Sequence, residues 1–338
     1  MICLGIESTA HTFAISIVSD DGDVLSNVRS LYTTKEGGLI PAKLTDHHIA
    51  VSDDVLQESL SIAKKTLQDI DIIAFSQSPG MGHSLRVGFV LAKSLALLLS
   101  IPLVGVNHCI AHLEIGRLKG YTYDGDDKVQ GCSDPLLLYA SGANTQVIAY
   151  EGKKYRVFGE TLDNGIGNFL DGFARYVGLG FPGGPKIQEL AKKGDTLIEL
   201  PYVVKGMDVS FSGLQTRLKQ LFDSGNYTLE NLCFSLQENS FAMLLEVAER
   251  AMAHSGKKEL LLGGGVACNT RLQEMAHIMC EERGATCYIL ANEFNVDNAA
   301  MIAWTGILQF QAGDSLDPKT AKILPHVRTD EVDIIWRK

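Results

Sequence analysis

From the second residue onward, short apolar runs are separated by short polar turns. ICLGIE, STAHT and FAISIV over residues 2–18 predict strand, turn and strand, and a turn at Asp21-Gly22 returns the chain into VLSNVRSL. The plan recurs at 136–158 as LLLYA, SGANT, QVIAY, a turn at Glu151-Gly152 and YRVFG. A second pair of segments also matches. Residues 71–106 read as strand DIIAFSQ, loop SPGMGHSLRVG, helix FVLAKSLALLL and strand PLVGV. Residues 259–290 read as strand ELLLGG, loop GVACN, helix TRLQEMAHIMCEER, a stop at Gly284 and strand TCYIL.

Each half is therefore a three-stranded meander followed by β-α-β, whose parallel strands require right-handed crossovers. The expected fold is α/β and duplicated, with two lobes around a central cleft, the architecture of actin, sugar kinases and Hsp70-type ATPases. The expected division is residues 1–107 plus 300–338 for one lobe and 108–299 for the other. An insertion of mixed helical character spans about 163–255 of the second lobe.

Composition narrows the classes. With 338 residues and 46% hydrophobic content the chain can bury a sizeable core. Its net charge of −10 makes it a poor nucleic-acid binder by itself, since phosphates demand clustered cations. Only small basic groups occur, such as Lys153, Lys154 and Arg156, Lys192 and Lys193, and Arg217 and Lys219. An RNA substrate would need surface from partners. Seven cysteines form no CxxC pair and Met1 leads straight into a strand, so a reducing, cytoplasmic setting is expected. The apolar stretch 89–106 is interrupted by Lys93, Ser94 and Pro102, and no membrane span is expected.

The hydroxyl-rich turns Ser8-Thr9-Ala10 and Ser141-Gly142-Ala143-Asn144-Thr145 occupy matched places in the two halves. Facing across a cleft, their N–H groups are candidates for cradling phosphate or a developing oxyanion; ordinary hairpin turns are the alternative. Gly263-Gly264-Gly265 lets a flat ligand approach the backbone, and Asn269 is either a reader of that ligand or a helix N-cap. No GxxxxGK[ST] occurs, which excludes a P-loop. Phe181-Pro-Gly-Gly-Pro185 is a further rigid turn able to approach a ligand.

His108-Cys-Ile-Ala-His112 follows a strand and opens a helix expected to end near Gly120, so both imidazoles share one helix face. Two histidines leave vacancies on a cation. Asp297 offers an oxygen, with an N-cap role as the alternative, and Tyr139 closes the strand before SGANT. A zinc peptidase of the HExxH type needs a glutamate beside its first histidine, where this chain has Cys109. Glu114 lies two residues past His112, so proteolysis is disfavoured. Two His, one Tyr and one Asp suit iron or zinc better than magnesium. No Ser-His-Asp or Cys-His arrangement demands a covalent intermediate. Glu7 and His11 are candidate general bases, with a structural role the readier reading of each.

Taken in order, GIESTAHT, PGMGHSLRVG, NHCIAH, YASGANTQVIA, ETLDNGIGNFLD, GLGFPGGPKI, SFSGLQT, GGGVACNTRL, VDNAAMIAWTG and RTDEVDIIW resemble the archaeal and eukaryotic branch of the universal tRNA threonylcarbamoyladenosine transferases, once classed as O-sialoglycoprotein endopeptidases. The resemblance covers essentially the whole chain. It implies transfer of threonylcarbamoyl from threonylcarbamoyl-adenylate to the adenosine 3′ of the anticodon, with loss of AMP, in tRNAs reading codons that begin with A.

By motif position it also implies one divalent metal, Fe(2+) ahead of Zn(2+), on His108, His112, Tyr139 and Asp297. The adenylate is implied to contact Tyr139, Ala140, Ser141, Gly142, Ala143, Asp171, Gly184, Gln188 and Asn269. The implied partners are the other subunits of the KEOPS complex: a small kinase/ATPase, a dimerising subunit and a tRNA-binding subunit. Gln188 stands where an acidic residue is common. Ala143 and Ala299 replace usual glycines, at a cost if φ is positive there. Rival readings are an ATP-dependent small-molecule kinase of the same fold and a non-catalytic nucleotide-binding scaffold.

Overall fold

The computed structural model describes residues 1–34, 40–124, 127–129 and 131–337. Strands β1 (Ile2–Glu7), β2 (Thr12–Ser19) and β3 (Val24–Leu31) form the first meander. Helix α1 (Pro41–Ala63) follows, then β4 (Ile72–Ser78), α2 (Gly82–Leu99) and β5 (Leu103–Asn107). These strands make one sheet in the order β3-β2-β1-β4-β5, with β4 parallel to both β1 and β5.

After α3 (His108–Gly116) and a short pair β6 (Thr122–Asp124) and β7 (Asp127–Val129), the plan repeats. The second meander is β8 (Leu136–Ala140), β9 (Thr145–Glu151) and β10 (Lys154–Glu160). Next come α4 (Ile166–Tyr176), α5 (Gly184–Ala191), the hairpin β11 (Val204–Lys205) and β12 (Asp208–Val209), α6 (Ser212–Asp223) and α7 (Leu229–Ser255). The β-α-β unit is β13 (Glu259–Gly263), α8 (Thr270–Glu282) and β14 (Thr286–Leu290); α9 (Asn292–Asn295) and α10 (Ala299–Gln311) close the sequence of helices. The second sheet runs β10-β9-β8-β13-β14-β6-β7, so its first five strands reproduce the order of the first sheet. The duplication expected from the patterning is thus present as topology, with β6 and β7 as an unexpected edge.

Both sheets bury their facing sides on a shared layer made by α3 and α10. Cys3, Val18, Ile72 and Val104 of the first sheet join Leu137, Tyr139, Ile148 and Leu261 of the second in one buried cluster with those helices. Alternation along β1 sends Leu4 and Ile6 the other way, into the cluster under α1 and α2. Close approach of the central layer depends on glycine. A Cβ at Gly5 would lie 2.5 Å from Ala299 O and 2.6 Å from Ala303 N, both backbone atoms of α10 or its start. Gly5→Ala is therefore expected to destabilise the protein by about 2 kcal/mol, read as a lower unfolding midpoint in denaturant.

Some boundaries differ from the sequence reading. Helix α2 begins at Gly82, seven residues ahead of the expected Phe89. Gly88 signals close packing instead of a loop: a Cβ there would sit 2.2 Å from Ser8 Oγ. Helix α3 stops at Gly116, short of the expected Gly120, where a turn has positive φ. The second meander turns at Gly152-Lys153, both left-handed (φ 60° and 65°), the requirement of a two-residue hairpin loop. Helix α2 is long and apolar enough to cross a membrane, yet it carries Arg86 and Lys93 and packs on β4 and α1.

Candidate metal centre and adjoining cleft

Helix α3 starts where β5 ends because Asn107 caps it, its Oδ1 accepting the Cys109 and Ile110 N–H groups at 3.1 and 3.2 Å. That cap puts His108 on the first helical position and His112 one turn later, both buried in the central layer. Tyr139 enters from β8 and Asp297 from the bend before α10. His108 Nε2 and His112 Nε2 each lie 3.4 Å from Asp297 Oδ1, and the Tyr139 hydroxyl is 3.0 Å from His108 Nε2. The N-cap of α10 is Asn298, whose Oδ1 accepts the Met301 N–H at 3.0 Å, so capping does not account for Asp297.

The donor set fits a cation. Ligand atoms of His108, His112 and Asp297 all fall within 4.8 Å of one another. Tetrahedral bonds of about 2.05 Å would place neighbouring ligands roughly 3.3 Å apart, close to the separations found here. His112 is fully buried, and neither ring nitrogen has a hydrogen-bond partner. An unpartnered imidazole in a dry core costs free energy unless something else is ligated there.

Glu7 completes the arrangement. At the end of β1, its Oε2 lies 3.0 Å from His108 Nδ1, while its Oε1 accepts the Thr9 N–H at 2.6 Å and the Thr9 hydroxyl. A carboxylate on Nδ1 holds the proton there and turns the Nε2 lone pair toward the centre. Burial works against charge on both imidazoles. It lowers His112, whereas at His108 the Tyr139, Glu7 and Asp297 oxygens overcome it and raise the ring well above its ordinary value. Burial likewise works against ionised Asp297, but the two histidines hold its carboxyl well below the usual range; burial pushes the Tyr139 phenol up. Ion binding would displace protons from His108 and Tyr139.

Glu114, the acid a peptidase would use, is spent elsewhere. Its carboxylate accepts from Arg117 at 2.7 Å, from Trp336 Nε1 at 2.9 Å and from the Tyr155 hydroxyl.

The two matched turns have different jobs. In the first, Ser8 N–H donates to Ser76 Oγ at 3.0 Å and Thr9 N–H to Glu7, so neither is a donor for a ligand's phosphate, contrary to expectation. In the second, Ser141 N–H is taken by Asn144 O at 3.0 Å, while Ser141 O and Gly142 O accept the Gly167 and Asn168 N–H groups at 3.0 and 2.9 Å. The start of α4 is thereby fixed onto the turn that follows Tyr139. Close approach explains NGIGN: a Cβ at Gly165 would meet Gly142 O at 2.3 Å.

Next to the first turn, His48 Nε2 lies 3.0 Å from Ala10 O. Burial holds its ring down at about 4, against an ordinary 6.5. The unfolded chain takes up this proton first, so the stability is complete above about pH 6.5 and is lost as pH falls toward 4. About 3 kcal/mol of acid sensitivity is expected over that window, and His48→Leu should flatten it in pH-dependent unfolding midpoints.

The remaining expected residues form one wall. Asp171 Oδ1 accepts the Gly183 N–H at 2.6 Å, Gln188 Oε1 lies 3.3 Å from the Thr270 N–H, and Asn269 adjoins. Asn269 is the N-cap of α8, its Oδ1 accepting the Arg271 and Leu272 N–H groups and its amide donating to Gln237 at 2.9 Å. Burial raises the Asp171 carboxyl, with the Gly183 N–H, Arg175 and His11 opposing. A Cβ at Gly184 would meet open space, which leaves room for a ligand. Ala140 is wholly buried, and Gly264 (φ +92°) brings the triglycine turn against its carbonyl, so only backbone is on offer there. Among the described residues, neither Ala143 nor Ala299 has positive φ, and their substitution for glycine carries no strain.

The TsaD family model, tRNA N6-adenosine threonylcarbamoyltransferase, matches residues 23–304. This chain belongs to that family. A Thermococcus kodakarensis relative named tRNA N6-adenosine threonylcarbamoyltransferase is 49% identical over 336 residues, covering 99% of this chain and all of the relative. A Methanocaldococcus jannaschii relative, named as a bifunctional tRNA threonylcarbamoyladenosine biosynthesis protein, is 50% identical; this chain spans 61% of its length. Among solved structures, Thermococcus kodakarensis HypF aligns with TM-score 0.62 at 13% identity, over 92% of this chain and 48% of that one. Component A of the Acidaminococcus fermentans (R)-2-hydroxyglutaryl-CoA dehydratase gives 0.55 at 14%, over 91% and 98%. These likenesses show the actin-like fold and nothing finer.

In the tRNA N6-adenosine threonylcarbamoyltransferase family, then, this chain carries a His-His-Asp group able to hold a metal. What the sequence reading missed was the role of Glu7, singled out there as a general base and found here orienting His108. Its spacing of two residues from Thr9 was visible, but its reach to a side chain 101 residues away was not.

Proposed function

We propose that the chain transfers threonylcarbamoyl from threonylcarbamoyl-adenylate to the exocyclic amine of the adenosine 3′ of the anticodon, in tRNAs reading codons that start with A. The observation that carries this is the convergence of the fully buried His112, which lacks a hydrogen bond on either ring nitrogen, with His108 and Asp297, close to Tyr139 and the turn onto which α4 is fixed. His108, His112, Tyr139 and Asp297 would hold the ion; this N and O donor set suits Fe(2+) or Zn(2+), with Fe(2+) first on the family resemblance. When bound, the ion supplies a Lewis acid and a template for the threonyl carboxylate or hydroxyl.

The chain's own groups do the rest. Glu7 keeps the His108 proton on Nδ1. Asp171, Gly184, Gln188 and Asn269 form the wall for the adenylate, along which the leaving AMP is oriented. In the transfer the amine nitrogen bonds to the carbamoyl carbon as the carbon–oxygen bond to AMP breaks. AMP is a good leaving group, so no enzyme nucleophile is needed. The two working lobes are residues 1–107 with 300–338, and 108–299.

A net charge of −10 supports assembly with the remaining KEOPS subunits, which would supply most of the tRNA-binding surface. The test supplies threonylcarbamoyl-adenylate and unmodified tRNA, with and without those subunits, and reads nucleosides by mass spectrometry. Modified adenosine in the complete mixture is the expected result; its absence refutes the assignment. Product without partners refutes only the dependence on them. Elemental analysis of the purified chain distinguishes iron from zinc.

A further inference from the structure

One face of α4 is left over by this account. A cavity of about 310 Å³ opens there, lined by Asn164, Asn168, Asp171, Arg175 and Phe181. Residues 168, 171 and 175 fall on one stripe of the helix, with Asn164 just ahead of its start. Asp171 is engaged with Gly183. Among the described residues the Asn164, Asn168 and Arg175 side chains have no hydrogen bond, though the Arg175 charge acts on the Asp171 carboxyl beside it.

The stripe begins beside the reaction centre: Asn168 Oδ1 sits 3.7 Å from where a Cβ at Gly142 would be, in the turn just after Tyr139. It then runs outward by roughly 10 Å to Arg175. Across the cleft, His11 of the other lobe meets Phe181 edge-on, with centroids 6.0 Å apart.

We propose that this stripe, with His11 and Phe181, receives the single-stranded RNA around the acceptor adenosine. The inference rests on the activity proposed above, which requires an RNA loop to bring one base to the metal centre. Arg175 meets a backbone phosphate, the two asparagines read base edges, and Phe181 stacks a base beside the target. Aromatic faces, amides and a guanidinium are the groups by which proteins bind unstacked RNA loops. Arg175, exposed at the outer end of the cavity and only partly offset by Asp171, suits a phosphate delivered by a loop that partners hold elsewhere. Asp171 borders both this cavity and the wall expected for the adenylate, which continues to Gln188 and Asn269.

Initial rates of the complete assembly, with tRNA and threonylcarbamoyl-adenylate varied separately, test this. Phe181→Leu is expected to raise KM for tRNA about tenfold. Arg175→Gln should reduce the slope of log(kcat/KM) against log[salt] by about 0.7. In both variants KM for the adenylate and kcat at saturation should stay within about twofold of wild type. Arg175 is exposed, so its variant keeps the test decisive if Phe181→Leu folds poorly. Unchanged tRNA KM and salt slope overturn the inference, as does a rise in adenylate KM instead, which would give the stripe to the donor. A wild-type assembly that makes no threonylcarbamoyl-adenosine refutes the activity itself and is scored separately.

Discussion

His112→Ala is expected to leave a folded protein that binds no stoichiometric metal and makes product at least about a hundredfold more slowly. The ring has no other task, since both its nitrogens lack a hydrogen-bond partner while it is completely buried. Removing it loses only the 3.4 Å contact with Asp297 and leaves a cavity in the central layer beside Tyr139. Metal analysis and single-turnover modification of tRNA should fall together. Retained modification in the metal-free variant would show that His112 is only a packing residue, and the scaffold reading would gain ground. Asp297→Asn provides the complementary case, because it removes the charge that both imidazoles face at 3.4 Å while keeping the shape.

Glu7→Gln is expected to weaken metal binding roughly 10- to 100-fold without removing a ligand. Its carboxylate accepts from His108 Nδ1 and from Thr9, whereas a glutamine can present its NH₂ to the ring and stabilise the wrong tautomer. Saturating metal should restore turnover to Glu7→Gln but not to His112→Ala. If Glu7 were instead the general base, added metal would rescue nothing and the acidic limb of the pH profile would be lost.

Local pattern made much of the fold legible. Both meanders were readable because short apolar runs are broken by short, small and hydroxyl-rich turns, and the second β-α-β because Asn269 and Gly284 bracket α8. The start of α3 was equally plain, since the histidines directly follow the strand. Errors arose where a glycine or a polar residue serves a distant partner. Gly82 and Gly88 read as loop, yet Gly88 makes room for Ser8, 80 residues earlier in the chain. Ser8 and Thr9 read as phosphate donors, but their N–H groups were already bonded to Ser76 and Glu7. The alternatives left open at Asp297 and Asn269 also depended on geometry: Asn298 rather than Asp297 caps α10, while Asn269 does cap α8.

By itself the sequence determined the kinds of element, their duplication and the residue types able to ligate a cation, because those depend on periods of two and 3.6 residues and on side-chain chemistry. Only the tertiary structure decided which of those side chains meet. Residues 108, 112, 139 and 297 converge because Gly5 and Gly116 let α10 and α3 close against the two sheets, a matter of packing that no local window contains. The same packing turned Glu7 toward His108 and set His11 opposite Phe181.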